Sequence, residues 1–345
     1  MKAHPTNDYV LRPARLTDFD AIFALIGTLK SSMTSMPPDP EFIEQRLHRS
    51  QRAFYPNVTN PGDEQYLFVL EGPAGVVGIT GILARVGGFE PFYTYAIEHE
   101  NFAHLPLGIA KKMPILKLQA SHDGPTEIGS LLLHRDCRQS GLGRLLSLAR
   151  FLFIAQFPQR FRDQTLAELR GFIDANGTSP FWEHVGRLFF ESEFTDADFL
   201  SGLGNKSFIR DLMPRHPLYT NLLPAEARAV IGRVHLSTRP AKALLEAEGF
   251  AEIDAVDIFD AGPVVQASTR NIRTVAISQW LPVSALVDYD ALPPRHWHVS
   301  NGKLDFRAGL TRAEVHPDSC KLSTTVAASL QISVGDYVRL APARP

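Results

Sequence analysis

The arrangement that most constrains the fold is an apolar strand, a glycine-containing loop and a long apolar helix in immediate succession. Residues 128–134 are apolar and rich in leucine, which predicts a buried strand. The loop Arg138-Gln139-Ser140-Gly141-Leu142-Gly143 follows, and apolar residues at helical spacing then continue to Phe157. This order leaves unpaired backbone N–H groups at a helix N-terminus, where the helix dipole also favours negative charge. The sequence therefore predicts an anion-binding turn.

The spacing of the glycines excludes two common phosphate-binding motifs. Gly141 and Gly143 are not followed by the Lys-Ser/Thr of a Walker A loop, and the third glycine of a dinucleotide-binding fingerprint is missing. Glycine at these two positions still allows a pyrophosphate to approach the backbone, and Arg138 can add a charged donor. Because glycine turns also precede helices that bind nothing, the loop alone leaves both interpretations open.

Composition and charge exclude several classes of protein. The 345-residue chain is 44% hydrophobic and 21% charged, as in globular proteins, and its formal net charge of −2 gives no overall field for nucleic acid or an anionic membrane. Residues 1–8 lack the apolar core of a signal peptide, and no run reaches the ~18 apolar residues of a membrane span. Two cysteines, Cys137 and Cys320, do not make a disulfide framework. We therefore expect a cytoplasmic protein, with no metal and no prosthetic group.

The remaining elements predict an α+β fold in two parts. Helices are predicted at residues 17–29, from 40 onward, 142–157, 179–186 and 240–248, with a mostly helical stretch at 195–231. Strands are predicted at residues 10–13, 66–70, 76–83, 89–97, 128–134, 165–170, 256–259, 264–267, 275–277, 298–299 and 335–340. Because a single core rarely grows past ~250 residues, we predict one domain at 8–268, with a helical insertion at about 191–239, and a β-rich subdomain at 269–345.

A series of motifs resembles the arginine N-succinyltransferase family, and the motifs occur in the family's order. They are Thr34-Ser35-Met36-Pro37, the block from Glu127 to Gly143, Ala167-Glu168-Leu169-Arg170-Gly171, Ser179-Pro180-Phe181-Trp182, Phe189-Phe190, Ala197-Asp198, Leu212-Met213-Pro214, Val230-Ile231-Gly232-Arg233-Val234-His235, Pro240-Ala241, Glu248-Gly249-Phe250 and Asp257-Ile258-Phe259-Asp260-Ala261-Gly262-Pro263. The resemblance covers about residues 8–280. It implies a GNAT-like acyl-CoA N-acyltransferase fold, in which a splayed mixed sheet is flanked by helices.

The resemblance also implies a reaction and roles for particular residues. The reaction transfers succinyl from succinyl-CoA, the co-substrate, to the α-amine of L-arginine, the opening step of a bacterial route of arginine catabolism. Leu131 is implied to contact succinyl-CoA and His235 to donate a proton, which suits imidazole because it titrates near neutral pH. In this fold the strand before the loop splays from its neighbour and offers its backbone to pantetheine. The predicted CoA-binding residues are therefore Leu131, Leu133, Arg138, Gly141, Leu142 and Gly143.

Recognition of the charged substrates is predicted from the next strand and the loop after it. Glu168 or Asp174 can face the guanidinium of arginine, and Arg170 can hold a carboxylate with two hydrogen bonds. Such residues are more often surface charges or members of internal ion pairs. The chain differs from the family at Lys30-Ser31-Ser32-Met33 and at Ala96, which leaves ornithine or another amine open as acceptor and a non-catalytic acyl-CoA-binding subunit as an alternative. The resemblance further implies a homo-oligomer or a heteromer with a paralogous subunit.

Overall fold

The structure is a computed structural model and describes residues 8–29, 33–88, 90–138, 141–204 and 206–343. Within these residues the strands are β1 (Val10–Pro13), β2 (Gln65–Gly72), β3 (Gly75–Leu83), β4 (Phe92–His104), β5 (Ile109–Ser121), β6 (Thr126–Leu133), β7 (Gln164–Glu168), β8 (Leu218–Tyr219), β9 (Ala251–Val256), β10 (Pro263–Ser268), β11 (Gln279–Val287), β12 (His296–Ser300), β13 (Ala308–Val315), β14 (Cys320–Ser323) and β15 (Tyr337–Pro342). The helices are α1 (Phe19–Gly27), α2 (Pro40–Ala53), α3 (Leu142–Gln156), α4 (Pro180–His184), α5 (Gly186–Phe190), α6 (Phe194–Gly202), α7 (Ser207–Leu212), α8 (Ala225–Arg228), α9 (Arg239–Ala247), α10 (Arg273–Ile277) and α11 (Thr324–Leu330). None of these helices combines the length and the apolar character that crossing a membrane requires.

The central sheet of the described residues has the strand order β13-β1-β2-β3-β6-β7-β10-β9-β4-β5-β8. Its neighbouring strands are antiparallel except for β6 and β7, which run parallel. A parallel pair requires a crossover connection, and α3 provides it by packing back onto the sheet. The mixed sheet flanked by helices confirms the predicted α+β class.

Helix α3 covers one face of this sheet, and α1 and α2 cover the other. On the first face Phe68, Ile82 and Ile128 pack against the leucines and phenylalanines of α3. On the second face Ile79 and Leu132 pack against α1 and α2. Strand β6 is therefore packed on both faces. Burial of each apolar side chain of this size contributes about 1.5–3 kcal/mol.

Most of the predicted elements lie where the sequence pattern indicated. Asp39 caps α2, which begins at Pro40 as predicted, by accepting a hydrogen bond from the backbone N–H of Phe42. Helix α1 begins at Phe19, two residues later than the predicted start at residue 17. The carboxylate of Asp18, which precedes the helix, pairs with Arg12 of β1 over 2.7 Å and does not cap α1.

Two segments predicted as strands are not strands, and the prediction lacks five strands of the structure: β5, β8, β11, β13 and β14. Residues 275–277 belong to α10, whose start is fixed by Glu248 accepting from Thr274 N over 2.6 Å. Residues 257–259 form a turn beyond β9, because Asp257 Oδ1 accepts from the backbone N–H of Phe259 over 2.7 Å. Strand β5 forms a long hairpin with β4, and its outer half is exposed and therefore carries no apolar alternation.

Residues beyond α10 build a further group of strands, β11–β15, around α11. The first part of the chain joins it through β1 and β13, where Leu11 pairs with Ala308. Phe306 and Ala341 lie in the same core cluster as α3. The predicted limits at 8–268 and 269–345, and the insertion at about 191–239, stay predictions.

Candidate active site

Strands β6 and β7 form a wedge that opens toward their C-terminal ends. They pair only at their first residues, Thr126 with Thr165 and Glu127 with Leu166. Strand β6 nevertheless continues to Leu133, where its only strand partner among the described residues is β3. The other edge of β6 thus faces the wedge with no strand of the described ranges paired to it, and a ligand's amides can take that place.

A β-bulge lies in β6 just past the point where the two strands separate. Ser130 has a left-handed backbone with φ 51°, and the register against β3 shifts there. Ile128 faces α3, whereas Leu132, an even number of residues later, faces α1 and α2. The extra residue of the bulge accounts for this reversal. Bulges of this kind re-aim backbone groups, here those of Leu131 beside the wedge.

The predicted anion-binding turn opens α3 at the wide end of the wedge. Gly141 is the N-cap of α3 with φ 76°, a conformation that favours glycine. Leu142 is fully buried and anchors the start of α3 in the core, and the neighbouring Gly143 keeps the first turn free of a side chain. The Arg138 side chain is exposed and its Nε lies 3.4 Å from the carbonyl of Leu133. Gln139 and Ser140 of the predicted loop lie outside the described residues.

A cavity of about 780 Å³ lies on the face of the sheet that carries α2. It reaches the wedge at Gly129 and Ser130 of the bulge. Five carboxylates line it: Asp63, Glu90, and a group of three from separate segments, namely Glu127 of β6, Glu168 of β7 and Asp257 of the turn beyond β9. Glu168 Oε1 is buried and has no hydrogen-bond partner in the part of the chain that the structure describes. Such an atom loses its water without compensation and so favours a ligand that donates to it.

The three carboxylates hold their protons more tightly than ordinary carboxyl groups do. Burial and the neighbouring Asp260 raise the pKa of Asp257 to about 7. Burial raises the pKa of Glu168 well above its usual range, and the charges of Asp257 and Glu127 raise it further. Burial likewise raises the pKa of Glu127. This end of the cavity therefore disfavours further negative charge and favours a cation.

Cationic side chains also line the cavity: Arg46, Arg49, Arg85 and Lys206. Arg46 of α2 is 9% exposed, and its Nη1 donates to Gln65. Its Nε is buried without a hydrogen-bond partner among the described residues, and burial lowers the pKa of its guanidinium to about 10. The cavity thus offers carboxylates and a guanidinium, which is complementary to a zwitterionic amino acid with a cationic side chain.

Arg170 lies just beyond β7 and takes part in an internal network of ion pairs. Its Nη1 contacts Asp198 over 3.0 Å and Thr34 over 3.1 Å, and its Nε lies 3.5 Å from Asp260. The guanidinium also lies over the aromatic ring of Phe194, with its central carbon 4.9 Å from the ring centroid. These contacts join the loop after α1, helix α6 and the turn beyond β9. They favour the internal ion pair over a carboxylate-binding role, which stays a prediction.

His235 is held at the mouth of the wedge by backbone pairing. Its N–H donates to the carbonyl of Arg170 over 2.8 Å, and Val234 bridges to Gly171. Its Nδ1 accepts from the backbone N–H of Ser237 over 3.2 Å, so the neutral ring carries its proton on Nε2. Burial, and to a smaller extent the charge of Arg170, lower the pKa of His235. The imidazole does not line the cavity described above.

The sequence prediction and the structure differ in which polar residues meet at the cavity. Asp174 does not line it, because its Oδ1 accepts from the N–H groups of Asn176 and Thr178 and so closes a turn. Ala96 pairs with β9 inside the sheet and does not reach the cavity, and residues 30–32 lie outside the described ranges. The sequence does not identify Arg46 as a site residue, because no local feature distinguishes it from the other arginines of α2.

The wedge, the bulge before it and the glycine turn at the start of α3 together define a GNAT-like acyl-CoA N-acyltransferase. The sequence model of the arginine N-succinyltransferase beta subunit matches residues 9–274, and the model of the C-terminal domain of that beta subunit matches residues 283–342. The chain belongs to the arginine N-succinyltransferase family, which confirms the resemblance inferred from the motifs.

Individual relatives agree with this assignment over nearly the whole length. The arginine N-succinyltransferase subunit beta of Pseudomonas aeruginosa is 42% identical over 334 residues, covering 96% of this chain and 98% of the relative. An arginine N-succinyltransferase of Yersinia pestis is 40% identical, covering 96% of each chain. The solved structure of arginine/ornithine succinyltransferase subunit AI from Pseudomonas aeruginosa has a TM-score of 0.88 and 34% identity, covering 97% of this chain and 98% of that one.

Proposed function

We propose that this acyltransferase transfers the succinyl group of succinyl-CoA to the α-amine of L-arginine, giving N2-succinylarginine and CoA. Besides membership of the family, one observation carries the proposal. The buried Oε1 of Glu168 lacks a hydrogen-bond partner among the described residues and lies in the cavity beside the wedge, together with the carboxylates of Glu127 and Asp257. A guanidinium donates several hydrogen bonds and a positive charge, and so suits a buried carboxylate oxygen without a donor.

The CoA moiety would bind along the wedge. The backbone N–H groups at Gly141, Leu142 and Gly143 would donate to the pyrophosphate at the positive end of the α3 dipole, and Arg138 would add a charged donor. The free edge of β6 at Leu131 and Leu133 would pair with the pantetheine amides. The re-aimed backbone at the bulge would polarise the thioester carbonyl.

The arginine acceptor would bind in the cavity with its cationic end near carboxylates and its anionic end near a guanidinium. Its guanidinium would lie against Glu168, Glu127 and Asp257, where a cation offsets the burial that raises the pKa of each carboxyl. Its α-carboxylate would pair with Arg46. This orientation directs the α-amine toward the bulge, because Ser130 and Gly129 line the part of the cavity that meets the wedge.

In the reaction the α-amine nitrogen attacks the thioester carbon, a C–N bond forms and the C–S bond breaks. The nitrogen must lose a proton and the departing thiolate must gain one. His235 would take up and deliver that proton through Nε2, because Nδ1 is engaged by Ser237 and the lowered pKa keeps the ring neutral near pH 7.

The assay mixes the protein with succinyl-CoA and either arginine or ornithine, and identifies the products by mass spectrometry. Ornithine is the second candidate acceptor, since the solved relative is described as an arginine/ornithine succinyltransferase. Replacing His235 by Ala is expected to lower kcat by ~10²-fold. His184→Ala is the control, because its ring pairs with Glu226 on a different helix and does not line the cavity. Unchanged kcat in H235A would assign that histidine to structure.

The proposal extends to assembly and location. The Pseudomonas aeruginosa relative is named as a beta subunit, and the solved structure as subunit AI, which supports a homo-oligomer or a heteromer with a paralogous subunit. Bacterial relatives and two cysteines that form no disulfide support a place in the bacterial cytoplasm. If the protein binds CoA but shows turnover only after a paralogous subunit is added, it is instead a non-catalytic subunit.

A further inference from the structure

Arg150 is a buried cation in the middle of α3 with no carboxylate beside it. It is 2% exposed. Its Nε donates to the carbonyl of Ser147 and its Nη2 to Ser147 Oγ, both over 3.0 Å. Within the described ranges no Asp or Glu lies within ion-pair distance of it. An isolated buried charge is costly, and burial alone lowers the pKa of this guanidinium to about 9.

Two other buried arginines, Arg12 and Arg160, have their charge compensated in the fold. Arg12 is paired with Asp18 and Glu71 over 2.7 Å each. Arg160 donates to the carbonyls of Ala53 and Tyr55, at the C-terminal end of α2, where the helix dipole supplies negative charge. Arg150 has neither a carboxylate nor a helix C-terminus among the described residues around it. Its remaining donors therefore suit an anion that arrives with a ligand.

The side chain of Arg150 extends toward the narrow end of the wedge. Its Nη1 lies 3.5 Å from the carbonyl of Gly129, two residues past the last pair between β6 and β7. Gly129 also lines the cavity on the other face of the sheet. Arg150 and the acceptor cavity thus approach the same point of β6 from opposite sides.

The position of Arg150 excludes the coenzyme's phosphates as its anion. It lies nine residues beyond Gly141 in α3, roughly 13 Å along a helix axis. The thioester, by contrast, lies at the bulge in the proposed function, one residue from Gly129. In succinyl-CoA the free carboxylate of the acyl chain follows the thioester carbonyl after two methylenes, a span comparable to one ~3.3 Å strand step or slightly more.

We infer that Arg150 binds the free carboxylate of the acyl chain and so selects monothioesters of a four-carbon dicarboxylic acid over neutral acyl-CoA. The inference rests on the proposed function for the position of the thioester. An uncharged acyl chain of the same length leaves the guanidinium without an anion, and a shorter one does not reach it. Arg46 belongs to the acceptor in this arrangement, because it lines the cavity on the face of α2.

The experiment compares succinyl-CoA with butyryl-CoA, which has the same chain length and no carboxylate. Arg150→Met keeps the length of the side chain and removes the charge. We expect kcat/KM for succinyl-CoA to fall on the order of 10²-fold, while kcat/KM for butyryl-CoA stays the same or rises. Equal losses for the two thioesters would show a structural role and overturn the inference, as would unchanged selectivity.

Arg46→Met is the matched control, and a titration separates the inference from the reaction. R46M is expected to raise the KM for arginine equally with both thioesters; loss of acyl selectivity in R46M would place the acyl carboxylate there instead. Calorimetric titration of the wild-type protein without acceptor should show tighter binding of succinyl-CoA than of butyryl-CoA. This result does not depend on arginine being the acceptor, and equal affinities would overturn the inference.

A second variant keeps the test decisive if R150M does not fold. Arg150→Lys retains the charge but loses the planar fork and part of the reach. It is expected to lower the preference for succinyl-CoA over butyryl-CoA without abolishing it, and to leave the Kd for free CoA within about twofold. A preference equal to that of the wild-type protein would contradict the role of Arg150.

Discussion

At the scale of single residues, three of the carboxylates of the cavity make acceptor binding depend on pH. Asp257, with a pKa raised to about 7, and Glu168, with a pKa raised well above its usual range, lose their charge as the pH falls through these values. A neutral carboxyl attracts a guanidinium less, so the KM for arginine is expected to rise as the pH falls from 8.5 to 5.5, stability permitting. Steady-state kinetics across this range measure it.

The variant Glu168→Gln sharpens this prediction. At pH 8 we expect the KM for arginine to rise about 10-fold or more, because one charge-assisted hydrogen bond is lost, and its further rise at lower pH to be shallower than in the wild-type protein. Asp174→Asn is the control, since Asp174 closes an exposed turn away from the cavity. A KM in E168Q that matches the wild-type value at every pH would remove Glu168 from the acceptor site.

At the scale of elements, the glycine turn before α3 lends itself to a test of the anion site. Gly141 has φ 76°, and a Cβ there would meet only Leu310 at 4.0 Å, so Gly141→Ala strains the backbone by about 1–2 kcal/mol without a clash. Because the altered turn aims the first N–H groups of α3, we expect the Kd for CoA to increase about 10-fold. Gly177→Ala, at φ 82° with open space around it, carries similar strain in a loop away from α3. Calorimetry that shows equal CoA binding in G141A and the wild-type protein would contradict the predicted pyrophosphate site.

The elements of this site can be predicted from the sequence, whereas the contacts between them cannot. The strand, glycine turn and helix around β6 and α3 follow from local patterns, and so does the presence of Glu168 in a strand, although the predicted strand runs two residues beyond the end of β7 at Glu168. The meeting of Glu168 with Asp257 does not, because it depends on the sheet order β6-β7-β10-β9, which joins distant segments. The role inferred for Arg150 cannot be predicted from the local sequence either, because it depends on which groups surround the side chain in the folded protein.

At the scale of the whole molecule, the β-rich C-terminal part contributes to the core behind the active site. Phe306 is fully buried and its ring lies 5.2 Å from that of Phe153 in α3 and 5.7 Å from that of Phe68 in β2. We expect Phe306→Ala to lower the free energy of unfolding by about 3–5 kcal/mol and to leave a single unfolding transition, because one cluster spans both parts. Val334→Ala is the control in the same part, since Val334 is 58% exposed. Calorimetric scans that resolve two transitions, with only the second shifted by F306A, would mean that residues 269–345 fold independently and that α3 owes its position to the first part alone.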